Sequence, residues 1–393
     1  MKMVRNRSVA YGETNLRVGI RSRFVDNGNG LVMHVLEAGV AEKGRPCVLL
    51  LHGFPELAYS WRKVMLPLAA AGYHVIAPDQ RGYGRTSGGD ARYAADVASS
   101  RMTNLVRDTV GLVFAMGYRA IAAVIGHDFG SPVAAWCALL RPDIFRSVVL
   151  LSAPFAGPPE LPFDQRNDLP AGAAARPRSG IDIQAELAAL NPPRKHYQWY
   201  YSTPGANEDM WHCAQGVHAF LRDYYFMKSA DWKINQPFQL KSWTAAELAK
   251  LPKYYVMELD KGMAETVAAP APATAELPHC GWLSDDELRV FSEEFIRTGF
   301  QGGLQWYRCL TDPQFRPELE TYSDCTIDVP SCFIGGKSDW GVYQSPGALD
   351  AMATKACTQF AGTHLVDGAG HWVQQERPEA VTALIKQFLA HQQ

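Results

Sequence analysis

Short, unbroken apolar runs recur along the first part of the chain, at Cys47-Val48-Leu49-Leu50-Leu51, His74-Val75-Ile76-Ala77, Ala120-Ile121-Ala122-Ala123-Val124-Ile125 and Ser147-Val148-Val149-Leu150-Leu151. Runs of this length without polar alternation mark strands covered on both faces. Ahead of them, residues 22–39 alternate around Asn27-Gly28-Asn29-Gly30, which predicts a β-hairpin at the start of a sheet. Helical periodicity fills the gaps, as over residues 104–115, and strands alternating with helices predict an α/β chain with a mostly parallel, doubly wound sheet. The pattern stops near Pro154 and resumes near Pro330, with Ser331-Cys332-Phe333-Ile334-Gly335, Thr363-His364-Leu365-Val366 and a last helix over 379–390.

The long intervening stretch is rich in Trp and Tyr and reads as a mainly helical lid on the C-terminal edge of the sheet, where such sheets bind ligands. The expected division is an N-terminal arm over 1–21, a core over 22–154 and 325–393, and a lid over 155–324. Within the lid, residues 169–180 and 264–278, with their Ala, Arg-Pro-Arg and Ala-Pro content, are expected to be loose. Ser284-Asp285-Asp286-Glu287 is a capping box that predicts a helix running to about Thr298.

Composition narrows the functional classes. A chain of 393 residues with 47% hydrophobic and 20% charged content is an ordinary globular protein. A formal net charge of −2 argues against a surface that tracks nucleic-acid phosphates. No apolar run reaches the roughly 18 residues of a membrane span. The basic start, Met1-Lys2-Met3-Val4-Arg5-Asn6-Arg7, lacks the apolar core of a secretory signal. Eight scattered cysteines without a C-x-x-C pair predict free thiols in a cytoplasmic protein with no metal centre and no cofactor. His212 and His218 lack the i, i+4 spacing of a metal pair and are expected to pack the lid.

The chemistry centres on Gly126-His127-Asp128-Phe129-Gly130, between a predicted strand and a helix that tolerates Pro132 in its first turn. Small residues two places either side of the central one make a nucleophile elbow, and the central residue here is Asp128. A carboxylate attacks carbon and leaves an alkyl ester of the enzyme, which suits epoxides and alkyl halides better than ordinary esters. His371, in Asp367-Gly368-Ala369-Gly370-His371-Trp372, is the expected base, and Asp339, after the preceding strand, the expected partner of its imidazole. The backbone N–H groups of Phe54, in His52-Gly53-Phe54-Pro55, and of Phe129 are the expected oxyanion donors. Pro78-Asp79-Gln80-Arg81-Gly82-Tyr83-Gly84 is expected to pack the floor of the site.

Together with Gly303-Leu304-Gln305-Trp306-Tyr307-Arg308 and Gly370-His371-Trp372-Val373-Gln374-Gln375-Glu376, these segments resemble the soluble epoxide hydrolases of the α/β-hydrolase fold, over nearly the whole chain beyond about residue 22. The resemblance implies two lid tyrosines that protonate the epoxide oxygen. Tyr307 matches the second and Tyr197 the first, with Tyr200 as the other candidate. It also implies an epoxide and water as substrates; the aromatic content of the lid favours a small apolar or aryl epoxide, in a pocket expected to include His52, Pro55, Trp199, Tyr200 and Trp372. The chain departs from the family in carrying Phe129 where Trp is common, and in a longer lid. Haloalkane and haloacid dehalogenases share the Asp–His–acid machinery but need a halide donor that Phe129 and Phe54 do not offer. A hydrolase-fold binding protein without chemistry would be expected to lack a triad member, and none is missing.

Overall fold

The computed structural model describes residues 16–40, 44–162, 182–268 and 280–392. The hairpin forms as expected: β1 (Ile20–Asp26) pairs antiparallel with β2 (Val32–Ala38) around Gly28 and Gly30, both at positive φ. Pairing begins at Ile20, so the sheet takes in the last residues of the expected arm. Then follow β3 (Cys47–Leu51), β4 (His74–Pro78), β5 (Ala123–His127) and β6 (Val148–Leu151). The inserted segment adds two three-residue strands, β7 (Arg194–His196) and β8 (Val256–Glu258), before β9 (Ser331–Gly336) and β10 (Phe360–Val366) complete the main sheet. Its order is β1-β2-β4-β3-β5-β6-β9-β10, parallel from β4 onward.

The buried runs serve two cores at once. Leu49 and Leu51 of β3, Val124 of β5 and Leu150 of β6 face the core shared with helices Met102–Ala115 and Gly130–Leu140. Val48, Leu50, Ile125 and Val149 face the core shared with helices Arg62–Ala70 and Pro378–Ala390. The strand order reverses between β3 and β5, so the loops leaving their C-terminal ends diverge and open a crevice there.

The inserted segment is mainly helical. It carries the capping-box helix Asp285–Thr298, in which Ser284 Oγ accepts from the Glu287 N–H at 3.2 Å and Glu287 accepts from the Ser284 N–H at 3.1 Å. The antiparallel β7–β8 pair was not foreseen, because three residues are too few for a period-2 pattern to register. Residues 264–268, expected to be loose, belong to helix Met263–Ala268. The rest of that stretch, with 169–180, lies outside the described residues. His218 bonds Ser292 and Asp285 between lid helices, while His212 is exposed beside Glu208. Among the described residues, no helix is long and apolar enough to cross a membrane.

The lid is fastened to the core at several points. Arg62 Nε bonds Glu287 at 2.8 Å, Arg85 forks onto Glu294, and the Trp306 indole donates to the Arg81 carbonyl at 3.0 Å. Helix Gln301–Thr311 reaches the loop after β4 through two glycines: a Cβ on Gly302 would lie 2.0 Å from the Gly82 carbonyl oxygen.

Candidate active site

Asp128 sits between β5 and helix Gly130–Leu140 at φ 51°, a left-handed conformation that costs a non-glycine residue about 1–3 kcal/mol. The glycines beside it are required by contact. A Cβ on Gly126 would lie 2.0 Å from the Gly130 carbonyl oxygen, and one on Gly53 would lie 2.3 Å from Asp128 Oδ1. That close approach lets the Phe54 N–H donate to Asp128 Oδ1 at 2.9 Å. Phe129 follows as the first residue of the helical turn. Burial alone would raise the Asp128 carboxyl, but His371, Lys228 and His127 hold it well below the usual carboxylate range. It is therefore ionised, as a nucleophile must be.

His371 lies in the loop after β10. Its Nδ1 is 3.1 Å from Asp339 Oδ1 and its Nε2 is 3.2 Å from Asp128 Oδ2. With Nδ1 directed at Asp339, Nε2 is the ring nitrogen that faces Asp128. Asp339 caps the short turn after β9, accepting from the Gly341 N–H at 2.7 Å. Burial opposes its ionisation, yet His371, Ser152 and that N–H keep it below the usual range.

The lid tyrosines separate by where their hydroxyls point. The Tyr197 ring lies 6.0 Å from that of Tyr307, which packs edge-on against Phe54 at 5.5 Å and Phe129 at 5.1 Å. Burial and the Asp128 charge push both phenols well above their usual range, so they stay protonated and can donate. Tyr197 Oη donates to Gln344 at 3.0 Å. Tyr200 faces elsewhere: its hydroxyl donates to Asp209 and accepts from the Met263 N–H at 3.1 Å.

The structure places four other residues expected in the pocket as follows. His52 is fully buried, and its ring is taken up by the Gly53 carbonyl at 2.9 Å and the Gln80 N–H at 3.0 Å, so it braces the oxyanion loop. Trp372 is also fully buried and donates to the Tyr225 carbonyl at 2.9 Å, backing the His371 ring at 4.6 Å without reaching the pocket surface. Trp199 packs edge-on against His196 at 5.4 Å. Pro55 is buried, with its carbonyl accepting from Tyr225 Oη at 2.7 Å. Tyr83 fills the floor as expected, edge-on to His52 at 4.8 Å and Trp306 at 5.3 Å.

Sequence reasoning passed over a buried network behind the nucleophile. His127 Nδ1 lies 2.6 Å from Glu56 Oε2 and its Nε2 lies 2.7 Å from the His371 carbonyl oxygen. Two acceptors on one imidazole require a proton on each nitrogen, so His127 is a cation paired with Glu56. Glu56 also accepts from the Gly53 N–H and from Gln374, tying the oxyanion loop to the histidine loop. Glu376 accepts from the N–H groups of Gly370 and Trp372, on either side of His371, and from Ala230 of the lid. Burial pushes its carboxyl up to about 7 against those three donors. The signal was present in His-Gly-Phe-Pro-Glu and His-Trp-x-Gln-Gln-Glu, whose polar residues have their partners far away in sequence.

A family model described as alpha/beta hydrolase fold matches residues 46–378. Epoxide hydrolase A of Mycobacterium tuberculosis is 36% identical, over 93% of this chain and 96% of that protein. The AB hydrolase superfamily protein YfhM of Bacillus subtilis is 40% identical, over 95% and 99%. A solved epoxide hydrolase from an endophytic Streptomyces superposes with a TM-score of 0.73 at 32% identity, covering 95% of this chain and 96% of that one. The chain belongs to the epoxide hydrolases of the α/β-hydrolase fold.

Proposed function

We propose that this epoxide hydrolase works through a covalent ester on Asp128. The observation that carries the reading is a carboxylate at the elbow, 3.2 Å from a histidine that is itself held by Asp339, with two protonated phenols on the lid nearby. Phe54 holds Asp128 Oδ1, so Oδ2 attacks an oxirane carbon. The C–O bond breaks, its electron pair goes to oxygen, and Tyr197 and Tyr307 hydrogen-bond that oxygen while one of them protonates it. His371 then takes a proton from water, and the hydroxide adds to the Asp128 ester carbonyl. The Phe54 and Phe129 N–H groups stabilise the resulting oxyanion. Its collapse releases the vicinal diol, and proton return from His371 restores the phenol.

In this reading residues 22–154 and 325–393 are the core that carries Asp128, Asp339 and His371, and 155–324 is the lid that carries the tyrosines. The aromatic surroundings of Asp128 suit a small apolar or aryl epoxide. Eight free cysteines suit a reducing compartment, and we place the enzyme in the cytoplasm. Dehalogenation is disfavoured because Phe54 and Phe129 have no side-chain donor for a halide. Incubation with styrene oxide and, separately, with 1-bromobutane tests the reading. Diol without bromide is the expected result; bromide without diol would overturn it.

A further inference from the structure

We propose that Lys228 is an anion-recognition residue of the pocket, and that the epoxides this enzyme prefers carry a carboxylate close to the oxirane. The inference rests on the epoxide-opening mechanism above and adds a substrate class to it.

Lys228 closes the lid helix Gly216–Lys228 and is the one buried lysine among the described residues, at 3% exposure. Its Nζ lies 5.1 Å from the Tyr255 ring centroid, 5.3 Å from Tyr224 and 5.4 Å from Trp372. Among the described residues, no carboxylate forms an ion pair with it. The cage belongs to the catalytic neighbourhood. The His371 N–H donates to the Lys228 carbonyl at 2.8 Å, the Trp372 ring is 4.6 Å from that of His371, and the Tyr255 ring is 5.2 Å from that of Tyr197.

A lysine side chain this deeply buried without an ion-pair partner is costly, and aromatic faces offset only part of that cost. The helix C-terminus contributes a further fraction. Were packing the only role, Met or Leu would fill an aromatic cage without burying a charge. In the free enzyme the ionised Asp128 balances Lys228 from a distance. Once Asp128 becomes a neutral ester that balance is lost, since Asp339 is engaged by His371. A carboxylate on the substrate restores a counter-charge through the ester state and departs with the diol.

The test compares trans-3-phenylglycidate with trans-3-phenylglycidamide, which share the ring and the oxirane and differ in charge. Wild-type enzyme is expected to show the higher kcat/KM for the glycidate. Lys228→Met should lower the glycidate-to-amide ratio at least about tenfold, as loss of a buried charge partner does, and Lys228→Arg should restore part of it. Equal losses on both substrates, or a wild-type preference for the amide, would overturn the proposal. Should Lys228→Met fail to fold, inhibition of wild-type styrene oxide turnover decides: phenylacetate should bind at least about tenfold tighter than phenylacetamide, and equal inhibition counts against the anion subsite. If styrene oxide is opened but no anion preference exists, only this inference falls. If no epoxide is opened, the mechanism falls with it.

Discussion

In the proposed mechanism Asp128 and the phenols of Tyr197 and Tyr307 divide the labour of ring opening. The carboxylate supplies the electron pair, and an alkoxide leaving near neutral pH needs hydrogen-bond donors aimed at it. Tyr197→Phe and Tyr307→Phe should each slow ester formation by about 10²–10³, while hydrolysis of a preformed ester stays near normal. The effects need not add, because one phenol partly covers for the other. Tyr200→Phe should leave ester formation close to wild type, since that hydroxyl is committed to Asp209 and Met263. Stopped-flow single turnovers check all three, and a slow phase in Tyr200→Phe alone would contradict the assignment. Asp128, His371 and Asp339 were legible in sequence because each follows a strand at a position fixed by the fold. The choice between Tyr197 and Tyr200 was not legible, because two tyrosines three apart share a helical turn and only the packing around them directs each hydroxyl. The His127–Glu56 pair was hidden for a similar reason: its members are joined by the crevice between β3 and β5, across 71 positions of sequence.

At the scale of elements, the catalytic geometry depends on how the lid helices meet the core. Helix Gln301–Thr311 carries Tyr307 and reaches the loop after β4 only because Gly302 and Gly82 lack side chains. Gly302→Ala places a methyl group 2.0 Å from the Gly82 carbonyl oxygen, so the helix must shift and take Tyr307 with it. The expected result is a loss of about 1–3 kcal/mol in a urea melt, with slower ester formation. Helix Asp285–Thr298 is held through Glu287, which closes the capping box and pairs with Arg62. Burial would raise the Glu287 carboxyl, but Arg62 and the Ser284 N–H hold it at about 2, below the usual 4.5. A lowered folded value means that the stabilisation is complete above about pH 4.5 and is lost as pH falls toward 2. Glu287→Gln should cost about 1–2 kcal/mol at pH 7, allowing for partial exposure, and the gap to wild type should shrink steadily from about pH 4.5 down to about pH 2. A gap that stays constant with pH would show that the charge contributes nothing. The capping box was readable from four residues; the Arg62 contact was not, since it joins the lid to the first core helix across 225 positions.

At the scale of the whole molecule, the reversal of strand order between β3 and β5 sets the loop that carries Phe54 beside the elbow, and the return of the chain through β9 and β10 delivers Asp339 and His371 to the same edge. Unbroken apolar runs made that sheet legible, because a strand buried on both faces has little choice of composition. The lid was legible as a mainly helical interruption with one capped helix, Asp285–Thr298, but the placement of its short helices was not, since it depends on contacts with the core. Both readings converge on an alkyl ester at Asp128, and the direct test is the intact mass of His371→Gln enzyme after exposure to styrene oxide, followed by peptide mapping. Without a base to activate water the ester should persist, as a gain of one substrate mass located on Asp128 and lost when Asp128→Asn is added. Diol formation with no adduct in His371→Gln, or an adduct on any other residue, would contradict the mechanism.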